Sequence, residues 1–113
     1  MQLGFLEFEV RKLPVWERFL TDVLGTVDVG QGRYRMDGHA WRFQLREGPA
    51  DDLVAVGWEL TEEELEQTLA RLAAANHPVQ TAPAEHRGAQ RRYLLEDPAG
   101  VPTELVTALE RAD

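Results

Sequence analysis

Two stretches of this 113-residue chain carry the same pattern about fifty residues apart, and an internal repeat of that length limits the fold more than any single motif. Leu6-Glu7-Phe8-Glu9-Val10 alternates apolar and acidic residues and runs into an amphipathic helical pattern. Val56-Gly57-Trp58-Glu59-Leu60 has the same alternation and runs into a second one. After each helix comes a basic-aromatic strand with an acid close by, Arg33-Tyr34-Arg35-Met36-Asp37 and then Arg92-Tyr93-Leu94-Leu95-Glu96-Asp97. A strand–helix–strands order met twice predicts one domain, residues 1–113, built from two copies of a unit, 3–48 and 53–107.

Period-two alternation over residues 3–10 predicts a strand with Leu6, Phe8 and Val10 on one side and Phe5, Glu7 and Glu9 on the other. Leu13-Pro14 opens a helix, Trp16, Phe19, Leu20, Val23 and Leu24 supply its apolar face, and Gly25 stops it. Gln31-Gly32 and Asp37-Gly38 are turn signals around a strand over 33–36, and the strand predicted over 40–46 sets Trp41, Phe43 and Leu45 on one side. The polar run 47–52 separates the units. In the second unit a strand over 53–60 leads to a capping box, Thr61 with Glu64, and a stripe of Leu65, Leu69, Leu72 and Ala73 that ends at Asn76-His77-Pro78. A short strand over 79–81, a loop over 82–88, strands over 91–96 and 101–107 and a frayed tail from Ala108 to Asp113 complete the expectation.

Composition removes several classes of function. A formal net charge of −8 opposes a nucleic-acid surface, which needs a basic patch. No apolar run approaches the ~18 residues of a membrane span, and the absence of cysteine excludes disulfides and thiolate metal sites and fits a reducing cytoplasm. With 43% hydrophobic residues the chain can build a real core.

The candidate chemistry lies on the sheet face turned away from the helices. Glu7, Glu9 and Glu59, with Glu104 as a further candidate, share that face and could bind a hard cation or act as an acid–base pair. Pairing with Arg42, Arg46, Arg91 or Arg92 is the stronger expectation, because these arginines alternate along neighbouring strands as well. His39 follows a hairpin turn, where histidine is ordinarily a surface residue, and Trp41 alternates with core positions. Neither a Gly-rich phosphate loop nor a Ser-His-Asp set is present.

The tandem βαβββ order resembles the vicinal oxygen chelate superfamily of glyoxalase I, bleomycin-resistance proteins and type I extradiol dioxygenases. Arg33-Tyr34-Arg35-Met36-Asp37 with His39-Ala40-Trp41-Arg42 and the Asp97-Pro98-Ala99-Gly100 turn before Pro102-Thr103-Glu104-Leu105 are similar to the amino-terminal module of the extradiol dioxygenases. The resemblance implies an α+β fold, a cupped sheet with helices on its outer face. It also places the family's metal-ligand positions at Phe5, Ala55 and Glu104, and only the last has a donor atom. A metal-free single module follows, with no cofactor and no autonomous catalysis, paired as a homodimer. It would bind a small molecule, an aromatic one among the candidates, in the concave sheet among Phe5, Glu7, Glu9, Ala55, Glu59, Glu104, His39 and Trp41. A dioxygenase- or lyase-type metalloenzyme with a non-standard or dimer-shared carboxylate site and a non-catalytic partner of a separate catalytic chain are the alternatives.

Overall fold

The computed structural model describes residues 1–112. The chain divides into two compact units, one of residues 5–55 with the carboxyl-terminal residues from Glu110 on, the other of Met1–Gly4 with Val56–Leu109. The first-half elements are β1 (Gln2–Val10), α1 (Leu13–Arg18) running into a π-helical turn (Phe19–Val23), β2 (Val27–Asp28), β3 (Arg33–Arg35) and β4 (Phe43–Glu47). The second-half elements are β5 (Asp52–Leu60), α2 (Glu62–Ala74), β6 (Gln80–Thr81), β7 (Arg91–Glu96) and β8 (Pro102–Thr107). The strand orders are β2-β3-β4-β1 and β6-β7-β8-β5. Each half is therefore a βαβββ element whose last strand lies parallel to its first, and the fold is α+β.

The registers correspond as well. Phe8 faces Leu45 across β1 and β4, and Trp58 faces Leu105 across β5 and β8. Gln44, beside Glu7, thus holds the place that Glu104 holds beside Gly57.

Each half packs its helix on one sheet face. In the first, Val10, Leu20, Tyr34 and Leu45 are buried with Phe8, Leu13, Trp16 and Phe43 against them, and the Phe8 and Trp16 rings stack at 5.3 Å. Burial also raises the Tyr34 phenol above its ordinary pKa. In the second, Leu60, Leu65 and Leu105 are buried under Trp58, Leu69, Leu72 and Tyr93. The capping box forms as expected, Thr61 Oγ1 accepting from Glu64 N at 3.1 Å and Glu64 Oε1 from Thr61 N at 2.9 Å. Ala73 is exposed and adds nothing to the stripe.

Three expectations are corrected. The first helix keeps α geometry only to Arg18. Leu24 N then donates to Phe19 O at 3.0 Å, five residues back, and Thr26 donates to Leu20 O through N and Oγ1. The wider turn keeps Leu20 inside and turns Phe19, Val23 and Leu24 out, where they are 43%, 69% and 51% exposed. Strand pairing begins at Phe43 rather than Ala40, so the alternation assigned to Trp41 does not extend that far. The tail is not frayed over its described length. Ala40 N donates to Glu110 O and Ala112 N to Gly38 O, which docks residues 110–112 on the 38–40 segment; Asp113 lies outside the described residues.

The turn at Gln31-Gly32 shows why glycine stands there. Gly32 has φ +74°, and a Cβ would sit 2.4 Å from Leu45 O.

Leu65, fully buried, should cost about 2–5 kcal/mol on substitution to alanine. Val23→Ala, at an exposed position, should change stability by no more than about 0.5 kcal/mol. Urea denaturation of both variants checks this, and equal losses would contradict the helix placement.

Candidate functional site

Glu104 sits on the β8 face opposite Leu105, which packs under α2, and is only 4% exposed. Its carboxylate is held from two sides. Arg87 donates Nε to Oε1 at 3.0 Å and Nη2 to Oε2 at 2.7 Å. Arg92 donates Nε to Oε1 at 2.7 Å and Nη2 to Oε2 at 3.1 Å. Both contacts have the two-pronged geometry that makes arginine–carboxylate pairs strong.

Local structure explains both partners. Arg92 faces Val106 across β7 and β8 and so lies on the same face as Glu104. Arg87 ends a 3₁₀ turn, Glu85–Arg87, closed by Gly88 with φ +72°, and its side chain is 4% exposed. Arg92 Nη1 also donates to Pro83 O at 3.2 Å and Ala82 N to Arg92 O, so the cluster fastens the 82–90 loop to the sheet.

Burial alone would raise the Glu104 pKa. The hydrogen bonds and charges of Arg87 and Arg92 outweigh it and hold the carboxyl below its ordinary value of 4.5. Arg92 was among the expected partners. Arg87 was missed, because a lone arginine in a loop reads as solvated surface, and only its spacing before Gly88 hinted at a fixed turn.

The other carboxylates are also engaged. Arg46 bridges Glu7 at 3.4 Å and Glu9 at 3.1 Å, and Glu9 accepts from Ala50 N at 2.7 Å while lying over Gly48. Glu59 accepts from Gln2 Nε2 at 3.1 Å and from Leu109 N at 3.0 Å. Arg42 pairs instead with Asp37 at 2.7 Å, whose carboxyl it holds below the usual range, and Arg91 turns to Glu62 and Glu66 on α2.

Phe5 is 1% exposed and packs against Trp41 with ring centroids 4.9 Å apart and the planes tilted by 37°, and the Arg33 guanidinium lies over the indole at 4.5 Å. Trp41 is buried as expected, but with Phe5 on the face away from α1 instead of with Phe43 and Leu45. Gln44 takes an Arg33 hydrogen bond at 3.3 Å, a neutral counterpart of the Glu104 cluster. His39 is buried rather than on the surface, beside the docked tail at Arg111, with its Nδ1 3.9 Å from Asp37. Ala55 is 4% exposed.

The family's metal does not fit these residues. Phenylalanine and alanine offer no donor, and a single carboxylate does not hold a divalent ion against water. Among the described residues no group of three or more His, Asp or Glu side chains is placed to hold a metal. Recruiting Glu104 would also strand buried Arg87, at a cost of about 3–5 kcal/mol. An open cleft of about 480 Å³ lies elsewhere in the second-half unit, walled by Pro78, Gln80, Leu94, Leu95 and Pro102.

Residues 3–48 match the family model described as Dihydroxybiphenyl dioxygenase BphC D1. The chain is 32% identical over 111 residues to biphenyl-2,3-diol 1,2-dioxygenase of Paraburkholderia xenovorans, covering 91% of this chain and 37% of that protein. It is similar to a crystal structure of catechol 2,3-dioxygenase, with TM-score 0.87, 29% identity and coverage of 97% and 42%. For 2,2',3-trihydroxybiphenyl 1,2-dioxygenase of Sphingomonas wittichii the TM-score is 0.85, with 30% identity and coverage of 98% and 42%. These matches support the vicinal oxygen chelate superfamily and, within it, the amino-terminal module of the extradiol dioxygenases; the chain spans less than half the length of these relatives.

Glu104→Ala should destabilise the protein by about 3–5 kcal/mol, because Arg87 is left charged and buried. Replacing Arg87 and Glu104 together by methionine and leucine should recover most of that loss in chemical denaturation; a double variant as unstable as the single one would contradict it. With a folded-state pKa below the unfolded one, Glu104 contributes stability above about pH 4.5, and that contribution is lost as pH falls through the lower folded value. The wild type should therefore lose stability more steeply than Glu104→Gln on acidification below pH 4.5.

Proposed function

We propose that this chain is a metal-free, non-catalytic module of the extradiol-dioxygenase kind, residues 1–113 forming one domain with repeat units 3–48 and 53–107. The observation that carries this reading is Glu104. The one family ligand position with a donor atom is occupied by two arginines, and its carboxylate serves to anchor the 82–90 loop. The two remaining ligand positions are Phe5, packed on Trp41, and Ala55. The face that carries oxygen chemistry in an active relative acts here as structural framework.

A second reading, binding of a small aromatic molecule, is favoured by the cleft beside β7, whose volume suits one or two rings. Leu94, Leu95, Pro78 and Pro102 would form its apolar walls. Of the expected set, Phe5, Trp41, His39, Ala55, Glu59 and Glu104 are buried in internal contacts, which leaves Glu7 and Glu9 as the partly exposed members.

Elemental analysis of protein purified without chelator should find iron, manganese and zinc well below one per chain, and oxygen uptake with catechol or biphenyl-2,3-diol should stay at the buffer rate. One metal per chain lost in Glu104→Ala, or catechol-dependent oxygen consumption, would overturn the proposal.

A further inference from the structure

The cleft of about 480 Å³ beside β7 is apolar in its walls and one-sided in its polar groups. Leu94 faces Gln80 across β6 and β7, and Glu96 faces Pro102 across β7 and β8. Side chains two apart on a strand share a face, so half-buried Leu94 and exposed Glu96 stand together in the cleft. With Pro78 and Pro102, Leu94 gives it an apolar lining at a volume suited to a small molecule.

The polar atoms here accept rather than donate. Glu96 and Asp97 both line the cleft, and no lysine or arginine does. The Asp97 carboxylate is fixed by its turn, Oδ1 accepting from Ala99 N at 2.8 Å and from Val101 N at 2.9 Å. His77 Nε2 meets Glu96 O at 2.9 Å. A carbonyl can only accept, so Nε2 carries the proton and the neutral ring keeps Nδ1 as an acceptor. Among the described residues the Glu96 carboxylate and the Gln80 amide have no side-chain partner, whereas Glu7, Glu9, Glu59 and Glu104 are all engaged. The neighbouring cations are committed elsewhere. Arg91 is turned to Glu62 and Glu66, and Arg92, two residues before Leu94 on the same face, to Glu104 and Pro83 O. The two carboxylates of the cleft are thus left without a counter-cation among the described residues.

We infer that this cleft takes small organic cations, molecules with a ring-sized apolar body and a protonated amine, and rejects their carboxylate counterparts. The inference rests on the reading of the cleft as the site of a small aromatic molecule and adds the charge that molecule carries. The apolar body packs on Leu94, Pro78 and Pro102, and the ammonium donates to Glu96, with Gln80 Oε1 and Asp97 as further acceptors. An ammonium group has N–H donors and no acceptor, which matches this set. A carboxylate would meet two like charges and, among the cleft's side chains, only the Gln80 amide as an uncommitted donor. The formal net charge of −8 on the whole chain draws cations towards the same place at longer range.

NMR titration of the isotope-labelled chain with phenethylamine, phenethyl alcohol and phenylacetate at neutral pH tests this, because the three probes share a ring and differ in the head group. The amine should shift the amide signals of Gln80, Leu94 and Glu96 saturably, with a Kd about threefold to fivefold below that of the alcohol, and phenylacetate should bind weakest. Glu96→Gln, at an exposed position, should remove most of the amine's advantage and leave the alcohol's Kd and the circular dichroism unchanged. Leu94→Ala should weaken the amine and the alcohol alike. Equal affinity for the three probes, or an amine preference unchanged in Glu96→Gln, would overturn the inference and leave the aromatic site standing. No saturable shift at these residues with any probe would overturn both. Neither result bears on metal content, so the metal-free reading stands or falls separately.

Discussion

The contact on which this module turns is one carboxylate between two guanidiniums. Burying a charge is costly unless every lone pair finds a donor, and Glu104 meets that condition through four hydrogen bonds from Arg87 and Arg92. The arrangement joins β8, β7 and the 3₁₀ turn of the 82–90 loop. It also bears on any competition for Glu104. A metal ion would have to displace an arginine already bound on two prongs, with no partner ligand at Phe5 or Ala55 to offset the loss.

The two halves reach the same end by different chemistry. In the second, the position beside Gly57 carries Glu104 and needs two cations. In the first, the matching position beside Glu7 carries the neutral Gln44, whose amide oxygen accepts from one arginine while its nitrogen donates to Gln31 O. That arginine, Arg33, also covers Trp41, and Trp41 packs on Phe5, so a cation–aromatic set fills what is a ligand position in the family pattern. Charge pairing in one half and aromatic packing in the other leave the family's ligand positions occupied by internal contacts.

Much of the fold was legible in the residues because its determinants are local. Alternation in Leu6 to Val10 and in Val56 to Leu60, the Thr61–Glu64 box and the Gln31-Gly32 turn are each fixed by neighbours within a few positions. What failed did so for other reasons. The π turn follows from how Leu20 and Thr26 are satisfied together, which helical periodicity does not encode. Trp41 changed faces because the chain is irregular before Phe43, and a period-two reading assumes a continuous strand. The docked tail and buried His39 depend on a pairing between residues some seventy positions apart. The ion pairs expected on the acidic face form at Glu7, Glu9 and Glu104 but not at Glu59, which accepts from Gln2 and Leu109 N, and half of the central pair, Arg87, stood in a loop where sequence alone shows only a solvated cation.

The most direct test follows the Glu104 carboxyl carbon by NMR while manganese(II) is added at neutral pH. If the carboxylate belongs to Arg87 and Arg92, its signal should stay sharp through one equivalent of metal and beyond. Saturable paramagnetic broadening complete at one manganese per chain would show instead that Glu104 is a ligand, and would contradict the account.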